Sequence, residues 1–385
     1  MEVYFDNAAT TRCLPEAAKR MYEVLTEDYG NPSSLHRKGM EAENYMKEAR
    51  RIIAKSLKVS EKEILFTSGG TESNNLAIFG AARARSRRGR HIVSTMIEHP
   101  SVYNPIAALQ EEGFSVSLLP TDACGIVALE QLESSLTEDT ILVSVMHVNN
   151  EIGSVEPIEE IARLVHEKAP KAVFHVDAVQ SYGKLPVYPS RMGIDLLSVS
   201  GHKLNGPKGS GFLYVKEGVH LLPVNYGGGQ ERSLRSGTEN VPAIAGLGLA
   251  VKKHFEKGTR EAAELYALRK GFIRRLQEIP GVSLNGTADS ALSAPHITNI
   301  SVEGIRSEVL LHALEDRGIY VSSGSACSSN KPARSRTLLS IGATEEAMDT
   351  TIRFSFSFAT TQEEVDYTVE ALQELIPVLS KFQRR

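Results

Sequence analysis

Cysteine is scarce in this 385-residue chain, and the three present, Cys13, Cys124 and Cys327, show no C-x-x-C spacing. An odd, sparse set argues against a disulfide framework and against a structural zinc site. No apolar run approaches the roughly 18–20 residues that span a bilayer. The opening segment "MEVYFDNAATTRCLPEA" lacks a basic stretch followed by an apolar one, so no signal peptide is expected. Charge of one sign is not in excess: the net charge is −4, which gives no electrostatic footprint for nucleic acid. The expectation is a soluble protein of a reducing compartment, the cytoplasm, with no direct nucleic-acid or membrane partner. Two phosphate-binding fingerprints are also missing. "TSGGTESNN" is not G-x-G-x-x-G, and "GHKLNGPKGS" fails the Walker A pattern because Pro207 precedes Lys208 and Gly209 follows it. An ATP or dinucleotide site is therefore unsupported.

What is present is an ordinary globular composition, 41% hydrophobic and 23% charged, in a chain too long for one ordinary core. Two domains are expected. Tyr45, Ala49, Ile52, Ile53 and Leu57 recur with helical period, predicting an amphipathic helix over 41–58. Short apolar runs follow at 63–68, 91–95, 114–120, 141–148, 172–178, 196–201 and 211–215, with helical sequence such as "PIEEIARLVHEKA" in most of the gaps. Near-continuous apolar strands alternating with helices predict an α/β domain around a mostly parallel sheet. After a long helical stretch at 241–279, strand patterns at 296–304 and 351–357 predict a second, α+β domain.

Ligands of such sheets bind beyond the carboxyl ends of the strands, and the residues there are unusually polar. The first run ends in two glycines, with Thr71, Glu72 and Ser73 opening a helix whose N–H groups suit an anion. Taken alone, this motif reads more simply as a glycine turn with a helix cap. His99 follows the second run, Asn149 and Asn150 end the fourth, and Asp177 and Gln180 follow from the fifth. A carboxylate such as Asp177 in an apolar strand needs a partner, though a capping or structural role would also supply one. The sixth run delivers Ser200, His202 and Lys203. One ligand would use them all: Gly70, Thr71 and Ser200 on a phosphate, Asp177 on a protonated ring nitrogen, Gln180 on a ring oxygen, His99 over a flat ring, Lys203 as a Schiff base. That ligand is pyridoxal phosphate. Lys203 directly follows the strand, whereas Lys208 sits in the turn, so Lys203 is the preferred amine.

The chain closely resembles the cysteine desulfurases of the NifS/IscS type within the class V aminotransferase superfamily. The resemblance runs through "YFDNAATT", "NPSSLHRKG", "FTSGGTESNNLAI", "EHPSV", "MHVNNEIG", "HVDAVQ", "SGHKLNGPKG", "GGGQERSLRSGTENV", "SSGSACSS" and "IRFSFS". It implies the fold-type I architecture of pyridoxal-phosphate enzymes and a homodimer. It also implies a large domain over 14–255 and a small one built from 1–13 and 256–385. On matching positions, it makes Lys203 the Schiff-base lysine, Asp177 the pyridinium partner and His99 the ring-stacking residue and candidate acid/base. Gln180 would contact the ring hydroxyl oxygen, and Gly70, Thr71, Ser200 and His202 would hold phosphate. Thr238 would reach the phosphate of the neighbouring subunit, and Asn150, also near the cofactor, would join Arg353 at the substrate carboxylate.

Cys327 would accept sulfur from L-cysteine and hand it to an acceptor protein such as an iron–sulfur scaffold, or toward thio-cofactors or tRNA thiolation. No intrinsic metal site is implied, although Cys327 is also the residue that would transiently ligate a shared cluster. The small, polar setting "SSGSACSSN" suits an accessible nucleophile. An aminotransferase for another amino acid would need Lys203 and Asp177 but not Cys327. A scaffold that docks an assembly protein would need little chemistry of its own, and selenocysteine lyase activity is a closer variant. The segment "CSSNKPARSRTLLSIGA" departs in detail from well-known members, which leaves the acceptor open.

Overall fold

The structure is a computed structural model and describes residues 1–256, 260–323 and 334–382. The chain opens with a two-residue strand, β1 (Val3–Tyr4), and then a helix, α1 (Pro15–Thr26). The predicted amphipathic helix is α2 (Arg37–Leu57). It starts four residues before the predicted stretch because the His36 side chain accepts the N–H of Gly39 and caps it. Ala49, Ile53 and Leu57 are buried on its inner face, as their spacing requires.

The seven apolar runs become β2 (Ile64–Thr67), β3 (His91–Thr95), β4 (Ser115–Leu119), β5 (Thr140–Met146), β6 (Val173–Asp177), β7 (Leu196–Ser200) and β8 (Gly211–Val215). They form one sheet in the order β2-β8-β7-β6-β5-β3-β4, parallel throughout except that β8 runs against both β2 and β7. Two apolar clusters cover its faces. One contains α2 and the helix Val241–Glu256, the other α3 (Gly70–Arg85) and α4 (Pro100–Glu111). Burial on both faces explains why these strands, apart from the partly exposed edge strand β4, read as continuous apolar runs rather than alternating ones.

A third cluster joins Val3 and Phe5 to residues of 265–376. It lies around a second sheet made of β9 (Val282–Asn285), β10 (Ile297–Val302), β12 (Ser322–Ser323) and β13 (Thr351–Ser355), in the order β12-β13-β10-β9 and antiparallel. The remaining strand, β11 (Ile319–Tyr320), pairs in parallel with β1. The predicted helical stretch at 241–279 is two helices, Val241–Glu256 and Arg260–Gln277. Among the described residues, no helix is long and apolar enough to cross a membrane.

Candidate active site

Because β2 and β7 both run against β8, the carboxyl ends of β2, β3, β5, β6 and β7 share one edge of the sheet. Gly211 on β8 pairs with Thr67 at the end of β2 and with Ser200 at the end of β7. A side chain there would place its Cβ 2.6 Å from both the Gly69 Cα and the Val199 carbonyl oxygen. Glycine therefore lets the Ser68–Gly70 turn close against Ser200. A Cβ on Gly70 would meet Val179 Cγ2 at 2.7 Å and Ser200 Cβ at 3.6 Å. The first N–H groups of α3 have no partner inside the helix, and they open on this cradle of Gly70, Thr71 and Ser200. An anion fits here.

Asp177 ends β6 in the middle of the sheet and is buried. Its Oδ1 accepts the N–H of Val179 at 2.9 Å and its Oδ2 accepts from Asn74 Nδ2 at 2.8 Å. Burial raises its pKa, opposed by the Val179 N–H, by His99 and by Asn74. A carboxylate has about four lone-pair sites, so room remains for a protonated ring nitrogen that would hold it ionised. His99 caps α4, with its Nδ1 3.1 Å from the Ser101 N–H and 2.8 Å from Ser101 Oγ. Burial lowers its pKa, Asp177 raises it and Lys203 lowers it again.

Lys203 lies in the turn after β7 and reaches the N-terminal segment. Its Nζ donates to the carbonyl oxygens of Ala8 and Ala9, each at 2.5 Å. Ala8 also accepts from Gln180 Nε2 at 2.9 Å, so Gln180 and Lys203 converge on one carbonyl. Lys208, by contrast, is exposed in the turn. The ring of His202 meets Thr10 Oγ1 at 3.1 Å, and burial together with Lys203, Lys208 and Lys184 pushes its pKa down to about 4. It is neutral at ordinary pH.

Arg353 projects from β13 toward the loop after β5 and the N-terminal segment. Its Nη1 donates to the Asn150 carbonyl at 2.8 Å and its Nη2 to Asp6 Oδ1 at 2.9 Å. Its Nε is buried without a hydrogen-bond partner among the described residues. An unpaired buried donor is costly, and a carboxylate is the group that relieves it. Asn150 and Arg353 thus lie together, joined through the Asn150 backbone carbonyl. Thr238 is exposed in the loop between β8 and the helix Val241–Glu256. Cys327 lies outside the described residues.

Sequence reasoning missed four participants. Asp6 neutralises Arg353 from 347 positions away. Asn74 and Ser101 join Asp177 to His99. Lys184, buried with its pKa lowered to about 7, first by burial and then by Lys203, donates to the Lys203 carbonyl at 2.9 Å. The polar "SNN" inside an otherwise apolar helix face was the available signal for Asn74. No local signal marks the other three.

The sheet order and the strand-end lysine and aspartate define a pyridoxal-phosphate enzyme of fold type I. The class-V aminotransferase family matches residues 3–368. A cysteine desulfurase IscS of Dictyoglomus turgidum is 42% identical over 379 residues, covering 98% of this chain and 95% of that protein. A solved NifS-like protein is 38% identical with a TM-score of 0.92, covering 98% of this chain and all of the other (100%). A solved structure described as SspA in complex with cysteine is 36% identical with a TM-score of 0.81, covering 92% and 98% of the two chains. The chain belongs to the class-V aminotransferases, among the cysteine desulfurases of the IscS and NifS type. Its cofactor is pyridoxal phosphate.

Proposed function

We propose that this protein removes sulfur from L-cysteine, leaving L-alanine, and passes it as a persulfide on Cys327 to an acceptor protein. The observation that carries the reading is Arg353, whose buried Nε has no partner among the described residues and suits a carboxylate, while Asp6 and Asn150 fix the rest of its fork. The relatives named cysteine desulfurase supply the substrate class.

Gly70, Thr71, Ser200 and His202 would hold the cofactor phosphate, Asp177 the ring nitrogen, His99 the ring face and Gln180 the ring oxygen. Pyridoxal phosphate, when bound, supplies an aldehyde for amines and a ring that withdraws electrons from the substrate α-carbon. Arg353, with Asn150 beside it, orients the substrate through its carboxylate. Lys203 Nζ, steadied by the Ala8 and Ala9 carbonyls, holds the cofactor and moves the proton at the α-carbon. Cys327 Sγ forms an S–S bond to the substrate sulfur. The C–S bond breaks, its electron pair passes to the carbon skeleton, and that carbon gains a proton to become the alanine methyl group.

The working molecule is a homodimer in this reading. Tyr22, Leu25, Tyr29, Leu35 and Met40 on and after α1, with Tyr226, are exposed large apolar side chains, Leu35 at 98%. Such a surface calls for a partner, and Thr238 in its exposed loop would reach the neighbouring subunit's phosphate. Separate apolar clusters favour a large domain over 14–255 and a small one from 1–13 and 256–385. The acceptor is an iron–sulfur scaffold or another sulfur-receiving protein, and the place of action is the cytoplasm, where unpaired thiols persist.

The test is alanine released from L-cysteine by the purified holoenzyme and by Cys327→Ala, with a thiol reductant present. Alanine from the wild type and almost none from the variant supports the reading. Equal alanine from both moves sulfur transfer to another group. No alanine from either, with cofactor bound, sinks the substrate assignment and favours an aminotransferase.

A further inference from the structure

His99 ends an uninterrupted chain of hydrogen-bonded side chains that begins at Asp177. Asn74, buried on α3, places its Nδ2 2.8 Å from Asp177 Oδ2 and 2.8 Å from Ser101 Oγ. Ser101 Oγ lies 2.8 Å from His99 Nδ1. The Ser101 backbone N–H lies 3.1 Å from that same Nδ1.

Each hydrogen in this chain has only one place to go. A backbone N–H cannot accept, so Nδ1 must receive its hydrogen bond and carry no proton. Turning the Asn74 amide over would set its oxygen against a carboxylate oxygen, two acceptors face to face. Asn74 therefore gives both amide hydrogens away, one to Asp177 and one to Ser101. The Ser101 hydroxyl, already accepting, has its own hydrogen free to give to Nδ1. The Asn74 Oδ1 is left buried without a partner among the described residues. An unmet acceptor is a cost, and the position tolerates it while the amide serves its two donor contacts.

We propose that Asn74 and Ser101 are positioning residues that tie His99 to Asp177 and lock its ring as the neutral tautomer with the proton on Nε2. The inference rests on the pyridoxal-phosphate reading of Asp177 and His99 and deepens it. His99 then acts as a neutral N–H donor and ring cover. Its second nitrogen is occupied and cannot serve as a base, so proton movement at the α-carbon falls to Lys203. The charged groups facing His99 are Asp177 on β6 and Lys203 after β7.

The experiment is nitrogen-15 NMR of the holoenzyme labelled at histidine, with His99 assigned by its loss in His99→Gln. The expected signal is an Nε2–H neutral ring from about pH 6 to about pH 9, across the ordinary histidine range. Ser101→Ala removes one donor to the Nδ1 lone pair and raises the His99 pKa by about one unit, a tenfold shift in its protonation. Ser101→Thr restores the wild-type value. Asn74→Asp turns the Ser101 hydroxyl away from the ring and raises it further. In Ser101→Ala, kcat falls on the order of tenfold with little change in KM, less than the about 10²–10⁴ of a direct acid–base group. A protonated or Nδ1–H ring in the wild type overturns the proposal. So does an unchanged His99 titration in a cofactor-loaded Ser101→Ala protein. Tautomer and titration are read without turnover, so a protein that makes no alanine yet keeps the Nε2–H ring overturns the desulfurase reading and upholds this one.

Discussion

Arg353 shows how much one side chain depends on company. Two of its three nitrogens are met by sequence-distant groups, Nη1 by Asn150 and Nη2 by Asp6, while Nε has no hydrogen-bond partner among the described residues. A lysine would keep the charge but lose the planar fork that grips two oxygens at once. Arg353→Lys is expected to raise the KM for cysteine roughly thirtyfold, from about 2 kcal/mol of charged hydrogen bonding. Cofactor retention, followed by visible absorbance, should be unchanged. Steady-state kinetics on the loaded protein decide it, and an unchanged KM would remove Arg353 from the substrate carboxylate. At this scale the sequence was informative where chemistry is local. Asp177, His99 and Lys203 announce themselves as polar groups at the ends of apolar runs. Asp6 does not, because an aspartate in "YFDNAATT" reads as a turn residue until the fold lays it beside β13.

Among the elements, β8 is the one that builds the phosphate cradle without contributing a polar side chain to it. Gly211 pairs on both sides, with Thr67 and Ser200, and a methyl group there meets backbone rather than a movable side chain. Gly211→Ala is expected to cost about 1–3 kcal/mol in overpacking, lowering thermal stability and loosening cofactor binding together. Gly271→Ala is the control: its Cβ meets nothing within 4 Å in the middle of the helix Arg260–Gln277. It should leave cofactor binding alone and stabilise the fold by roughly 0.4–1 kcal/mol. Thermal melts and cofactor titration separate the two. Most strands of the large sheet were legible, because burial on both faces makes them apolar throughout. The two-residue strands β1, β11 and β12 were not. Nothing in so short a pattern distinguishes a paired strand from a loop.

The whole molecule carries a set of buried titratable groups that shape its pH response. Burial pushes Glu98 and Glu156 up to about 8. The same cause takes His147 down to about 4 and His175 down to about 3. For the two glutamates the folded pKa lies above the unfolded one, so their contribution is complete below about pH 4.5 and is lost as pH rises toward 8. For the histidines the folded pKa is depressed, so their contribution is present above about pH 6.5 and is lost as pH falls toward 3. Stability should therefore fall on both sides of a maximum. Glu98→Gln removes one acidic group whose Oε2 is buried without a partner among the described residues. Its melting temperature relative to the wild type should rise between about pH 5 and about pH 8. Parallel curves across that range would mean that Glu98 titrates normally.

By itself the sequence determined the alternation of strands and helices and the polar groups at the strand ends. Those polar groups pointed to pyridoxal phosphate, and the resemblance of its motifs added the desulfurase family. These are properties of adjacent residues, fixed by side-chain period and by the cost of burying polar groups. Tertiary structure alone decided that Gly211 stands between Thr67 and Ser200, that Asp6 answers Arg353, and that Asn74 bridges Asp177 to Ser101. Strand order, register and helix placement set those contacts. Each depends on how the whole sheet pairs and packs, and no spacing along the chain encodes that directly.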